Sequence, residues 1–252
     1  MISVRNVSKR YGNFPAVNNL NLEIGREFFV FLGPNGAGKT TSIKMMTGLL
    51  PPDSGTIVIN DCNLLTEPVR AKRSLGYAPE QAFLYEKLTG REFLKFIATI
   101  YRLPGAEAQK RISRLCEIFE LNDRLYDYIE DYSHGMKQKV SLIATLLHDP
   151  AVIFLDEPTV GLDPKAVKNL KELLHGMVKK GKTVFMSTHI LEIAESMCDR
   201  IGIIHQGSLV ACGAPEEIRN SNGQPAGSLE EIFLKLTHSE TGSQVENFLQ
   251  GA

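Results

Sequence analysis

Gly33-Pro34-Asn35-Gly36-Ala37-Gly38-Lys39-Thr40 follows the pattern GxxxxGK with Ser or Thr next. Glycines at this spacing let successive backbone N–H groups curl around phosphate oxygens. A helix starting at Lys39 adds the positive end of its dipole. The Lys39 ammonium is suited to the β- and γ-phosphates of a nucleoside triphosphate and the Thr40 hydroxyl to Mg2+, with Thr41 following on the same helix. A second cluster, Val152-Ile153-Phe154-Leu155-Asp156-Glu157, is an apolar run that ends in two carboxylates. Asp156 is placed to hold the Mg2+ shell and Glu157 to orient or deprotonate an attacking water. A glycine-rich turn without a ligand, or acids that merely face solvent, would explain each cluster alone. Together they point to triphosphate hydrolysis. No NKxD element follows, which argues against guanine as the base.

The elements that must position these residues alternate between short apolar runs and helical patterns, the mark of an α/β domain with a largely parallel sheet. Phe28 to Leu32 is apolar at every position, as in a strand covered on both faces. Ala151 to Leu155 and Thr183 to Ser187 read the same way. Asp163-Pro164 starts a helix with an acidic N-cap and proline at the first turn; Lys179-Lys180-Gly181 ends it. From Thr89 to Leu147 no strand is expected. Thr89-x-x-Glu92 forms a capping box, and Phe93, Phe96, Ile97 and Ile100 recur at helical spacing. The expectation is a single domain over 1–237. Its core is 1–76 and 151–213, with a helical insertion at about 77–150. A linker over Asn220 to Gly227, a tail helix at about 228–237 and a frayed end at 238–252 complete the expected layout.

A chain of 252 residues that is 43% hydrophobic buries a sizeable core. Its net charge of −1 supplies no field for nucleic acid, so no nucleic-acid partner is expected. Cys62, Cys116, Cys198 and Cys212 are scattered, without a CxxC pair, and read as reduced thiols of a cytosolic protein. The N-terminus lacks the apolar segment of a secretory signal, and no apolar run is long enough to span a bilayer. Any membrane role must therefore pass through a partner.

With these residues in view, the chain resembles an ABC transporter nucleotide-binding subunit, over residues 1 to about 213 and with the family's elements in order. The resemblance implies a P-loop NTPase core with an N-terminal antiparallel portion and an inserted helical subdomain, and ATP with Mg2+ as ligands. Tyr11 sits where the family places the aromatic that stacks on adenine. Tyr132-Ser133-His134-Gly135-Met136 occupies the position of the LSGGQ signature, where Ser133 and Gly135 are retained while His134 and Met136 depart from it. Asp163, in Gly161-Leu162-Asp163-Pro164, matches the D-loop, and His189 matches the switch histidine that contacts the γ-phosphate. Gly76-Tyr77-Ala78-Pro79-Glu80-Gln81 resembles the Q-loop. Alignment on Pro79 puts Glu80 at the glutamine position with Gln81 next, and either oxygen is a candidate for Mg2+. In the family, each ATP lies between the P-loop of one chain and the signature of the other, which implies a second ATPase subunit.

Leu84 to Glu92, the signature segment and the tail Ser228 to Leu234 resemble the ABC-2-type exporter branch. That branch implies a membrane-spanning permease subunit, which the chain drives from the inner face of the cell membrane. The rival expectation is a soluble ABC ATPase in macromolecular assembly, repair or translation. A tandem second ATPase domain, a long coiled-coil insertion or basic arms would mark it, and the sequence contains none of them.

Overall fold

A computed structural model describes residues 1–221 and 228–237. The chain opens with β1 (Ile2–Tyr11), β2 (Phe14–Ile24) and β3 (Phe28–Leu32), then α1 (Lys39–Met46), β4 (Ser54–Ile59), β5 (Cys62–Asn63), α2 (Pro68–Arg73) and β6 (Leu75–Ala78). Three helices follow, α3 (Gly90–Ile100), α4 (Gly105–Ile118) and α5 (His134–Leu146). The chain returns through β7 (Val152–Asp156), α6 (Pro164–Lys179), β8 (Thr183–Thr188), α7 (Leu191–Met197), β9 (Arg200–His205) and β10 (Ser208–Gly213). It closes with α8 (Pro215–Ser221) and α9 (Leu229–Thr237).

Two sheets result. An antiparallel sheet of order β2-β1-β4-β5 lies at the N-terminal side, and a six-stranded sheet has the order β10-β9-β3-β8-β7-β6. Within the latter, β9, β3, β8, β7 and β6 run parallel, and β10 pairs antiparallel at the edge. The all-apolar strands are explained by burial on both faces, because side chains alternate along a strand. Phe28, Val30, Leu32, Ile153, Leu155, Val184 and Met186 point into the core shared with the helical segment. Phe29, Phe31, Val152, Phe154 and Phe185 point into the core shared with the antiparallel sheet and α1. On that side the Phe29 and Phe185 rings stack with centroids 5.6 Å apart.

The insertion begins as its capping box requires. Glu92 N donates to Thr89 Oγ1 at 3.2 Å and Thr89 N to Glu92 Oε2 at 2.9 Å. The apolar stripe of α3 is only half used, however. Phe93 is buried, whereas Phe96 is 42% and Ile100 57% exposed, with Tyr85 beside Phe96. Two boundaries also differ from expectation. The division at 76/77 falls inside β6, whose Leu75–Ala78 pairs in register with Val152–Leu155. Asn220 and Ser221, expected in a linker, close α8. The rest of that linker and the end at 238–252 lie outside the described residues.

Candidate functional site

The site forms at the carboxyl ends of the parallel strands, where an open α/β sheet leaves a crevice. Register does the placing. Leu32 pairs with Thr188 and Asp156 with Ser187, so the loop after β3, the acids after β7 and the turn after β8 meet at one edge. The loop after β3, Glu157 and His189 line a cleft of about 490 Å³ together with the β1–β2 hairpin and the segment after β6.

Of the residues expected at the site, Tyr11, Asn35, Gly36, Gly38, Lys39, Thr40, Thr41, Glu80, Glu157 and His189 line this cleft. Gly33, Pro34 and Ala37 form the base of the loop rather than the wall, and Ala37 is buried. Asp156 lies behind the wall, 1% exposed. Gln81 is exposed and does not line the cleft, whereas its neighbour Glu80 does. Ser133, Gly135 and Asp163 do not line it either; they gather at the starts of α5 and α6.

The loop is tightly seated. Gly38 has φ +107°, and a Cβ there would stand 2.4 Å from the Ala16 carbonyl oxygen, so only glycine fits. Beside Gly36 the loop is open, with no atom within 4 Å of where a Cβ would stand. That space, the free N–H groups of the first turn of α1 and the Lys39 ammonium suit a phosphate. The Lys39 side chain is buried: its Nζ donates to the carbonyls of Gly33 at 2.7 Å and Pro34 at 3.2 Å and lies 3.4 Å from Glu157 Oε1.

The two carboxylates are organised by Ser187, which sequence reasoning treated only as part of a strand. Its hydroxyl donates to Asp156 Oδ1 at 2.5 Å and accepts from Glu157 N at 3.1 Å. Asp156 Oδ2 is buried with no hydrogen-bond partner. Burial raises the Asp156 carboxyl above its ordinary pKa, against the opposing pull of the Ser187 and Thr40 hydroxyls. A buried carboxylate oxygen without a donor, beside a hydroxyl, is the hard oxygen set that Mg2+ takes. Glu157 is held in the left-handed region, φ 49°, a conformation that is uncommon for a non-glycine residue. It is 5% exposed, and His189 Nδ1 lies 3.0 Å from its Oε2, opposite Lys39.

Phe14, Ala16 and Val160 also line the cleft and were missed. The signal for Phe14 was present in the chain. Gly12-Asn13 makes a two-residue turn that pairs Tyr11 with Phe14 across the hairpin. Both rings remain exposed, at 51% and 60%, which excludes a core role for Tyr11.

Known proteins share this fold. The family model described as ABC transporter matches residues 17–160. The probable multidrug ABC transporter ATP-binding protein YbhF of Escherichia coli is 37% identical over 94% of this chain; the chain spans 42% of that relative's length. A solved structure described as the ATP-binding subunit of an ABC transporter superposes with a TM-score of 0.90. It is 36% identical, with coverage of 94% of this chain and 100% of the other. A dimeric ATP-binding cassette, solved in a post-hydrolysis state with ADP and Pi, superposes with a TM-score of 0.78. It is 27% identical over 85% of this chain and 98% of its own. Fold, cleft and comparisons agree: the chain belongs to the ABC transporter family and carries its ATP-binding domain.

Proposed function

We propose that the chain binds Mg·ATP in the cleft and hydrolyses it as a pair, driving a separate membrane-spanning permease subunit of an exporter. The observation that carries this reading is Glu157, a buried carboxylate held between the Lys39 ammonium and the His189 imidazole at the end of a phosphate cradle. Lys39 binds the β- and γ-phosphates and Tyr11 packs on adenine. Thr40 and Asp156 would hold Mg2+, with Glu80 a further oxygen ligand from the segment after β6. The metal supplies charge neutralisation on the phosphate oxygens. Glu157 accepts the proton of the water whose oxygen bonds to the γ-phosphorus. The bridging P–O bond then breaks, and its electron pair leaves on ADP. His189 steadies Glu157 and the γ-phosphate.

The position of Ser133 supports the pairing. The N-terminus of α5, where the Ser133 hydroxyl accepts from Met136 N, is absent from the lining of the cleft that holds Lys39. A second copy or a related chain facing this one brings the two together, as the dimeric state of the solved cassette supports. For the membrane partner, the support is threefold. The E. coli relative is named as part of a multidrug transporter. Among the described residues no helix is long and apolar enough to cross a membrane. A groove of about 190 Å³ lined by Leu84, Phe93, Ile97 and Tyr101 lies just past Glu80, with exposed Phe83 and Tyr85 at hand. Bound to such a partner, the chain sits on the cytoplasmic face of the membrane.

The test is Glu157→Gln, which keeps shape and hydrogen bonding and removes the proton acceptor. ATP binding persists, turnover collapses by about 10²-fold or more, and an ATP-bound pair appears on gel filtration. Full turnover in this variant would falsify the assignment of the base.

A further inference from the structure

The turn after α1 and the short helix α2 carry apolar side chains that the fold leaves open. Gly48 follows the last turn of α1 with φ +69°, and Pro51 and Pro52 keep the chain from resuming a helix. The chain therefore runs over the surface. Leu49 in this turn is 61% exposed, Leu65 before α2 is 87% exposed and Val69 on α2 is 65% exposed. They gather in one place. Lys72 Cε lies 2.9 Å and Leu64 Cδ2 3.1 Å from where a Cβ on Gly48 would stand, so α2 rests against the turn that holds Leu49. A groove of about 340 Å³, lined by Gly48, Leu50, Leu64 and Leu65 among others, runs between them. Single exposed apolar residues are ordinary, but several around one groove mark a contact surface.

Cations surround the patch. Every residue of α2 except Ala71 is exposed, and Val69, Lys72 and Arg73 share one face at helical spacing. Lys44, in the last turn of α1, is exposed beside them in the chain. Arg70 is paired with Glu67 at 2.9 Å, and Asp61 adds to the field on it. Asp53 is taken up by Lys9 Nζ at 2.7 Å and Arg10 N at 2.8 Å. Among the described residues, Lys44, Lys72 and Arg73 have no ion-pair partner, although the chain as a whole has a net charge of −1. Exposed apolar side chains ringed by unmatched cations suit the interface of an anionic bilayer. Its acyl region takes up the former and its headgroup phosphates the latter. A second copy suits the face less well, since self-pairing would set these cations against one another.

We propose that this face lies directly on anionic lipid, with Leu49, Leu65 and Val69 entering the headgroup region and Lys44, Lys72 and Arg73 meeting its phosphates. The inference rests on the reading that places the chain at a membrane. It goes beyond that reading because the contact is with the bilayer itself and not with a permease. A patch of this size binds weakly and reversibly by itself, so it adds to the hold of a protein partner through a second point of attachment.

The experiment is co-sedimentation of the full chain with vesicles of phosphatidylcholine, alone or mixed with phosphatidylglycerol, at low and high salt. The wild type binds the mixed vesicles, binds phosphatidylcholine far more weakly, and is released by high salt. Lys72→Glu with Arg73→Glu lowers the affinity by more than about 20-fold. Leu65→Ser with Val69→Ser lowers it by about fivefold or more. All four side chains are exposed, so both variants melt as the wild type does. Failure of the wild type to bind mixed vesicles overturns the proposal, as does equal binding to both lipids or unchanged affinity in either variant. Self-association on gel filtration that these substitutions abolish, with no vesicle binding, overturns it in favour of a second copy. Membrane recovery that needs a co-expressed permease, with bare vesicles unbound, overturns the lipid contact and leaves the permease reading intact. Vesicle binding with no gain from a permease does the reverse.

Discussion

His189 Nδ1 lies 3.0 Å from Glu157 Oε2 while Lys39 Nζ lies 3.4 Å from Glu157 Oε1, so each oxygen of one buried carboxylate faces a different nitrogen. The two contacts have different consequences. His189 is 45% exposed in its side chain and removable without opening the core, whereas Lys39 is 6% exposed. His189→Ala is expected to bind ATP about as tightly as wild type and to lower kcat about 10- to 100-fold, through loss of Glu157 alignment. Steady-state kinetics with a parallel binding titration checks this. An unchanged kcat would leave His189 a bystander.

Lys39→Ala removes a charge-assisted contact to phosphate, worth about 1.5–3 kcal/mol, so ATP affinity falls roughly ten- to hundredfold. Calorimetry reads the change, and unaltered affinity would mean that the loop at 33–41 does not hold the phosphates.

Asp156 yields a prediction for the protein without nucleotide. Burial raises its folded-state pKa above the unfolded value, so the folded state binds more protons and the ionised acid is a cost. That cost is absent below the unfolded pKa and is fully present once pH exceeds the folded pKa. Asp156→Asn still accepts from Ser187 and should raise the melting temperature by a few degrees at pH 8, a gain that fades as pH falls into the carboxylate range. Mg2+-dependent turnover is lost in the same variant. Thermal melts across pH decide it, and a destabilised variant at pH 8 would contradict the sign.

The hairpin pair offers a division of labour. Tyr11 and Phe14 are cross-strand neighbours that both line the cleft. Base–aromatic stacking is worth about 1–3 kcal/mol, so the ring that carries adenine should cost about fivefold or more in ATP affinity when replaced by Ala. Tyr11→Ala is expected to do so and Phe14→Ala to cost less. Titration with ATP and with triphosphate lacking a base separates stacking from phosphate binding, since only the former responds.

Leu84 half-buries its side chain in the groove after Glu80. Leu84→Asp introduces an unpaired charge into that apolar surface. It should spare ATP binding by the isolated chain and weaken recovery with membranes when a permease is co-expressed. Equal membrane recovery of variant and wild type would move the docking surface elsewhere.

The glycine-rich loop before α1, the paired acids at the end of an apolar strand, and the Thr89–Glu92 capping box were all readable from the chain. Each is a run of contiguous residues whose spacing is itself the structural requirement. The same holds for the α/β class, because strands covered on both faces must be apolar throughout. Other relations needed the folded molecule. Ser187 bridges Asp156 and Glu157 across about thirty residues only because β7 and β8 pair in register. The choice of Glu80 over Gln81 as a wall of the cleft depends on how the chain leaves β6. Phe96 and Ile100 repeat at helical spacing yet stay exposed, since periodicity marks an apolar face without saying what covers it. Lys139 and Asp163 meet because α5 packs along the loop after Glu157. Contiguous spacing is written in the sequence; neighbours brought together by sheet register and helix packing are decided by the tertiary structure, where distance along the chain no longer measures distance in space.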